Sequence, residues 1–335
     1  MKALVIGGGS IGQRHLQNLK VLAVESLALV ETDPSRRETV AAKMPVRQFS
    51  RLDDGFDWSP DFVVLATPTH CHAEQALEAV RRGLHVFVEK PLSHQASKLA
   101  EIADLVNRKN LVTLVGCNMR FHPGPAQLKQ LLAEDRIGRI LFARVQAGSY
   151  LPNWRPGTDY RENYAAREET GGGCILDCIH EIDLARWYLG DVREVACMAD
   201  HMSSLEITTE DVAAIICRHS SGAISEIHLD YVQRTYERGC QIVGERGSIF
   251  WDFNQKQVRW FDGPSGQWTM FSEPATWEVN QMYVDEMKLF IECVESGRRT
   301  VLPIPEAIAV MQIAFAAKTS AREGRVVTTA SEVLA

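Results

Sequence analysis

The first third of the chain alternates short, unbroken apolar runs with stretches of three-to-four-residue repeat. Lys2–Ile6 and Leu27–Glu31 each contain such a run beside one charged end residue, and Phe62-Val63-Val64-Leu65-Ala66 is apolar at every position between Pro60-Asp61 and Thr67-Pro68. Continuous apolarity over that length predicts strands buried on both faces, as in a parallel sheet. His85–Val88 and Leu111–Val115 predict two more. The helical period predicts helices over Ser10–Lys20, Ala73–Arg82 and Ser93–Lys109. It also predicts one over Pro34–Lys43, with Asp33 as N-cap and Pro34 at the first helical position. Strand and helix in alternation predict an α/β fold with a doubly wound parallel sheet.

After Asn118 the texture changes. Pro123–Asp135 predicts a helix and Ile140–Tyr150 a long strand. A loop rich in Pro, Trp, Arg and Tyr (Leu151–Thr170) precedes a helix over Gly172–Leu189. From Val192 to Phe271 the pattern is mostly β. Its clearest part is a hairpin, Val212–His219 and Ala223–Tyr231, around a two-residue Ser221-Gly222 turn. Ser225, Ile227, Leu229 and Tyr231 alternate there with Glu226, His228 and Asp230, so one face is packed. Helices over Val279–Ser296 and Pro305–Glu323 finish the pattern. A chain of 335 residues exceeds a single core. The expected division is 1–120 for the parallel-sheet domain and 121–335 for an α+β domain with a largely antiparallel, open sheet.

Composition narrows the partners. A formal net charge of −7 argues against nucleic acid and anionic membrane. No apolar run approaches a membrane span, and three glycines interrupt the N-terminal apolar stretch, so a cytoplasmic protein is expected. The eight cysteines are scattered without a C-x-x-C. Cys174, Cys178 and His180 lie close in sequence but lack a fourth ligand of suitable spacing, so no metal is expected.

Four clusters carry candidate chemistry. Gly7, Gly9 and Gly12 form a G-x-G-x-x-G directly after the first strand. Gly7 allows the tight turn, Gly9 lets a pyrophosphate approach backbone, and Gly12 lets the helix pack closely; the N-terminal end of that helix faces the phosphates. Glu31, at the end of the second strand, stands where a dinucleotide-binding Rossmann unit holds the adenosine ribose. Its carboxylate favours NAD over NADP, although Arg36 and Arg37 nearby keep NADP open. Ala66-Thr67-Pro68-Thr69-His70-Cys71-His72 lies at a strand's carboxyl end, with Thr69 as a helix cap. Glu89-Lys90-Pro91 follows a buried strand, where desolvation and a nearby positive nicotinamide make Lys90 a usable proton acceptor; a cis Pro91 would aim it inward. Last, Gly171-Gly172-Gly173 opens a helix on which Asp177 and His180 share a face, a carboxylate orienting an imidazole.

In that order and at those intervals, these motifs resemble the glucose–fructose oxidoreductase, inositol dehydrogenase and MocA (Gfo/Idh/MocA) family over nearly the whole chain. The resemblance extends to Asn118–Pro123, Gly244–Ile249 and Ser320–Val326. It implies an N-terminal Rossmann domain, a C-terminal domain whose open sheet forms oligomer contacts, and NAD(P)-linked redox chemistry at a sugar or cyclitol carbon. Gly7, Gly9, Ser10, Ile11 and Gly12 would hold the pyrophosphate and Glu31 the ribose. Thr67, Pro68 and His72 would line the cofactor cleft. Glu89 and Lys90 would sit near the nicotinamide ribose and reacting carbon, with Asp177 and His180 across the substrate. One departure bears on mechanism. The family places His four residues after the Asp, whereas His180 is three after Asp177 and Glu181 takes the fourth place. A one-residue deletion accounts for this, since His180, Asp183 and Arg186 keep their mutual spacing; the proton-transfer role stays open between Lys90 and His180. The variant D-x-x-H-E-x-D also resembles a subgroup found around bacterial surface-sugar pathways.

The expected activity is therefore hydride transfer between NAD, or NADP, and a hydroxyl-bearing carbon of a sugar, sugar acid, nucleotide sugar or cyclitol. The catalytic candidates are Lys90, Asp177 and His180. In the loop, Trp154, Tyr160 and Tyr164 are candidates to pack on a sugar face, and Arg155, Arg161 and Arg167 to meet a carboxylate or phosphate. The same residues alternatively close a subunit interface, and a homodimer or homotetramer through the second sheet is expected. Two rival functions are a glycosidase using transient NAD redox and a non-catalytic NAD(P)-binding sensor.

Overall fold

The computed structural model describes residues 1–329 and contains two compact units. The first comprises Met1–Asn118 and Val279–Ile308, and the second Met119–Glu278 with the chain from Ala309 onward. A single boundary after residue 120 does not describe this division, because residues 279–308 return to the first unit. The physical reason is apolar. Phe290, fully buried in the helix Asn280–Ser296, packs edge-on against Phe62 and Phe87 of the first sheet, with ring centroids 5.4 and 5.8 Å apart.

In the first unit the elements follow as β1 (Lys2–Ile6), α1 (Ser10–Val21), β2 (Ser26–Val30), α2 (Pro34–Lys43), β3 (Arg47–Phe49) and α3 (Leu52–Asp57). Then come β4 (Phe62–Leu65), α4 (Thr69–Arg81), β5 (His85–Glu89), α5 (Leu99–Arg108) and β6 (Thr113–Gly116). All six strands are parallel, in the order β3-β2-β1-β4-β5-β6. That order reverses between β1 and β4, and ligands of open α/β sheets bind outside the carboxyl ends of the strands at such a point. The expected strands are present. Differences lie at helix ends and in the short β3 and α3, which the apolar pattern does not announce. Pro68 rather than Thr69 is the N-cap of α4, and no side chain caps that end. The helix expected from Ser93 begins at Leu99, because Lys98 adopts a left-handed conformation (φ 69°) and the Ser93 hydroxyl donates to the Gln95 carbonyl in a local turn.

The second unit opens with α6 (Pro123–Ala133) and β7 (Ile140–Gly148), then short 3₁₀ turns between Leu151 and Thr170. Next come α7 (Cys174–Asp177), α8 (Ile179–Leu189), β8 (Val192–Asp200), β9 (Val212–His219), β10 (Ile224–Asp230), β11 (Glu237–Gly244), β12 (Gly247–Asp252), β13 (Gln257–Asp262) and β14 (Gln267–Ser272). After α9 (Asn280–Ser296) of the first unit, α10 (Ile304–Glu323) leads into β15 (Val327–Thr328). The nine-stranded sheet runs β14-β13-β12-β11-β7-β10-β9-β8-β15 and is antiparallel except for the β7–β10 pair. The expected face of β10 is packed: Ser225, Ile227, Leu229 and Tyr231 are fully buried. The β9–β10 turn has three residues instead of two. The His219 amide donates to the Ala223 carbonyl, and Gly222 takes the left-handed position (φ 88°). The helix expected over Gly172–Leu189 is two helices, broken at Cys178 (φ −89°, ψ 35°).

Candidate active site

In the first unit, the residues expected at the cofactor lie along the carboxyl edge of the sheet, grouped at the ends of β1, β2, β4 and β5. Gly7 follows β1 with φ 101°, and a side chain there would strike the Ala66 carbonyl that follows β4. A side chain on Gly12 would overlap the Gly7 carbonyl, so α1 leaves the turn in contact with the strand it follows. Gly9 is different: a Cβ there meets nothing within 4 Å. It is the N-cap of α1, which no side chain caps, so this end of α1 presents amides to open space. That cradle fits a pyrophosphate, with Ser10 and Ile11 beginning the helix.

Glu31 follows β2 and is buried. Its Oε2 accepts from the Gly8 amide at 2.8 Å and from Arg36 at 3.2 Å, and its Oε1 from the Asp33 amide at 3.0 Å. Burial works against the charge. The Asp33 and Gly8 amides and the Arg36 guanidinium more than offset it and hold the carboxyl below its ordinary value. With three donors placed, Oε1 keeps an acceptor site for a ribose hydroxyl. Arg37 donates to the Glu31 and Thr32 carbonyls, so both nearby arginines are turned to the Glu31 turn.

His72 corrects an expectation. It is buried, and its two ring nitrogens lie 2.8 Å from the carbonyl oxygens of Pro91 and Thr67. Burial pushes its pKa down, and the two carbonyls pull the other way. A ring spent in this way braces the Thr67-Pro68 turn against the Lys90-Pro91 turn instead of facing a cleft. The Thr67 hydroxyl is in turn engaged with Gln75 at 2.7 Å, and Pro68 is exposed. Glu89 ends β5 and is buried, whereas Lys90 is partly exposed and joined to Pro91 by a cis peptide bond. The Glu89 carboxylate contacts His15 of α1 at 2.6 Å, a partner the motifs do not reveal.

In the second unit, Asp177, His180, Glu181 and Asp183 are all buried within seven positions, so their charges must be matched. Asp183 takes a two-point bond from Arg120, at 2.8 and 2.6 Å. Glu181 faces Arg238 of β11 at 2.8 and 3.3 Å. Glu181, four residues after Asp177, is therefore committed to an ion pair and is no substitute acid or base. The two guanidinium anchors fix α8, and with it His180 in its first turn. Because the chain breaks at Cys178, Asp177 and His180 do not share one continuous helix. Asp177 is instead approached by two hydroxyls, Tyr164 at 3.1 Å and Tyr231 at 3.4 Å. Burial and then the Asp177 charge raise the Tyr231 phenol well above its ordinary value, which keeps it a donor.

The loop residues separate into two groups. The Arg155 guanidinium lies 5.3 Å from the centre of the Tyr164 ring, and Trp154 packs edge-on to Tyr231 at 5.1 Å while donating to Ser149. Both thus adjoin the tyrosines that hold Asp177. Tyr160 and Arg161 turn away. The Tyr160 hydroxyl accepts from the Glu206 amide, and Arg161 is bound by Asp159 and Glu206. The guanidinium holds Asp159 down at about 2. Sequence reasoning missed Tyr231 at Asp177, since its position reads only as the packed face of a strand. Burial pushes the Cys197 and Cys217 thiols up to about 12, which keeps both protonated.

Residues 1–117 match the oxidoreductase family with NAD-binding Rossmann fold, and residues 126–250 match the GFO/IDH/MocA C-terminal domain. Levoglucosan dehydrogenase of Pseudarthrobacter phenanthrenivorans is 32% identical over 293 residues, spanning 75% of this chain and 73% of its own. The scyllo-inositol 2-dehydrogenase (NAD(+)) of Bacillus subtilis is 25% identical over 342 residues, spanning 97% and 95%. A solved levoglucosan dehydrogenase, in complex with NADH and levoglucosan, superposes with a TM-score of 0.90 at 20% identity, over 99% of this chain and 100% of that one.

Proposed function

Because the chain belongs to the GFO/IDH/MocA oxidoreductases, with their NAD-binding Rossmann domain, we propose that it interconverts an alcohol and a carbonyl on a sugar, sugar acid, nucleotide sugar or cyclitol. The observation that carries this reading is the carboxyl edge of the first sheet, where an open glycine cradle, a liganded Glu31 and a strand-end lysine stand together. NAD, when bound, supplies the hydride acceptor. The protein supplies orientation and proton transfer. Lys90 takes the hydroxyl proton in the oxidative direction, being partly exposed and fixed by the turn that His72 braces. Asp177 and His180 hold substrate hydroxyls, with Tyr164 and Tyr231 orienting the carboxylate. Trp154 and Arg155 border the sugar, and Arg155 favours an acidic or phosphorylated one. Tyr160 and Arg161 shape the loop.

A screen of cyclitols, sugars, sugar acids and nucleotide sugars for net NAD reduction tests this reading, with Lys90→Ala as blank. The variant should lower turnover by about 10²- to 10⁴-fold while still binding NAD. A panel in which NAD binds but no alcohol reduces it would remove the proposal.

A second copy of the chain is the proposed partner. The outward face of the nine-stranded sheet leaves Met198, Ile216, Ile224, Trp268 and Met270 exposed, interspersed with the Arg144–Glu226 ion pair. Light scattering should give a dimer or tetramer, and Ile216→Glu should shift it toward the monomer.

A further inference from the structure

Glu89 is a buried carboxylate with two distinct duties. Its Oε1 lies 2.6 Å from Nε2 of His15, and its Oε2 accepts from the backbone amide of Lys90 at 3.3 Å. His15 is fully buried on α1, three residues past Gly12, so one side chain connects the helix that begins at the phosphate cradle to the peptide of the proposed proton acceptor. Little freedom remains in this link. The imidazole is held edge-on to Phe87 at 5.0 Å and to Tyr283 at 6.5 Å. The other side of Glu89 is closed by Gly116 at the end of β6, where an added Cβ would already touch both the Phe87 ring and Glu89 Oε2 at 3.3–3.4 Å. The Arg14 guanidinium covers the outer face of Tyr283 at 4.4 Å.

Among the described residues Nδ1 of His15 is buried without a hydrogen-bond partner, so the ring is held through Nε2 at Glu89. A short hydrogen bond to a carboxylate is stronger and more directional than one between neutral groups.

We propose that His15 is a positioning residue for proton transfer: through Glu89 it fixes the Lys90 turn against the helix that starts at the phosphate cradle, without itself touching substrate or cofactor. The proposal rests on Lys90 being the proton-transfer residue. It predicts that the orientation of Lys90, and not the affinity for NAD, depends on a hydrogen-bond donor at the place of His15 Nε2. Glutamine supplies an amide N–H at a similar reach, and leucine keeps bulk but no donor.

The test compares His15→Leu and His15→Gln in two readouts. One is the rate at which acetic anhydride labels the Lys90 amine relative to other lysines, followed by peptide mass spectrometry, which needs no turnover. The other is kcat set beside the dissociation constant of NAD. His15→Leu should change relative labelling of Lys90 by at least ~3-fold and lower kcat by ~10-fold or more, with NAD affinity within ~3-fold, while His15→Gln recovers both. Should the leucine variant not fold, Glu89→Gln, which weakens the same bond while keeping the shape, should shift the labelling in its place. Unchanged labelling in a folded His15→Leu or Glu89→Gln overturns the proposal, as does an equal loss in His15→Leu and His15→Gln. If labelling shifts as predicted but the wild-type enzyme reduces NAD with no substrate, the positioning role stands and the dehydrogenase reading fails.

Discussion

The two units hold their functional residues by opposite means. In the first, the arrangement is made largely of backbone: bare glycines, an uncapped helix end and strand termini that a parallel sheet brings to one edge. In the second it is made of side chains, with buried guanidinium–carboxylate pairs at Glu181 and Asp183 and two tyrosine hydroxyls at Asp177. A backbone site depends on a few positions where no side chain fits. A side-chain site depends on partners that arrive from distant parts of the chain and must each be matched in charge. Damage should therefore take different forms in the two units, steric in one and electrostatic in the other.

The largest effect is expected at Arg238. Replacing it with Met takes the guanidinium away from the buried Glu181 carboxylate, at about 3–5 kcal/mol of stability. Arg238→Met combined with Glu181→Leu should recover most of that loss in urea unfolding, because a matched apolar pair carries no stranded charge. A double variant as unstable as the single would remove the electrostatic half of the contrast. In the first unit, Phe290→Ala should cost about 3–5 kcal/mol by leaving a cavity between Phe62 and Phe87. Limited proteolysis should then cut the parallel-sheet unit first. Protection of that unit in the variant would deny that α9 belongs to its core.

Acid sharpens the same contrast. Burial, and then the charge of Arg238, push His122 of the second unit down to about 4 from an ordinary 6.5. The folded state thus disfavours the imidazolium, so this contribution is fully present above pH 6.5 and is lost as pH falls toward 4. The shift corresponds to about 3 kcal/mol. The decline of Tm over that interval should flatten in His122→Asn, which keeps an acceptor for the Gly124 amide but has no titrating ring. An equally steep decline in the variant would place the acid sensitivity elsewhere.

Smaller effects are expected where a single hydrogen bond is removed. Tyr164→Phe should cost about 1 kcal/mol of stability and lower kcat more than it raises KM, since the Asp177 carboxylate loses a guide and not a substrate contact. At the foot of the scale, Arg161→Ala should leave KM and Tm unchanged, because its partners Asp159 and Glu206 are exposed carboxylates. A marked rise in KM for an anionic substrate would instead return Arg161 to the site.

How much was legible in the sequence follows the same division. The glycine cradle, Glu31 and the Glu89-Lys90 turn have local spacing, because a strand, a turn and the next helix are consecutive in the chain. Their positions could therefore be read directly. The bracing role of His72 leaves no local trace, since its carbonyl partner on Pro91 is 19 residues away. In the second unit the 54-residue separation of Tyr231 from Asp177, and the 57 residues between Arg238 and Glu181, leave no local trace. The break at Cys178 was also hidden. Apolar spacing through Ile175, Ile179 and Ile182 fits one helix as well as two. Short elements such as β3 and α3 carry too few residues for either period to register.

Single-turnover formation of reduced nicotinamide tests the central claim most directly, with NAD and the best alcohol from the screen at saturating concentration in wild type and Lys90→Ala. The account predicts a rate slower by about 10²-fold or more in the variant than in the wild type, with NAD affinity preserved. Equal rates in the two proteins would contradict it.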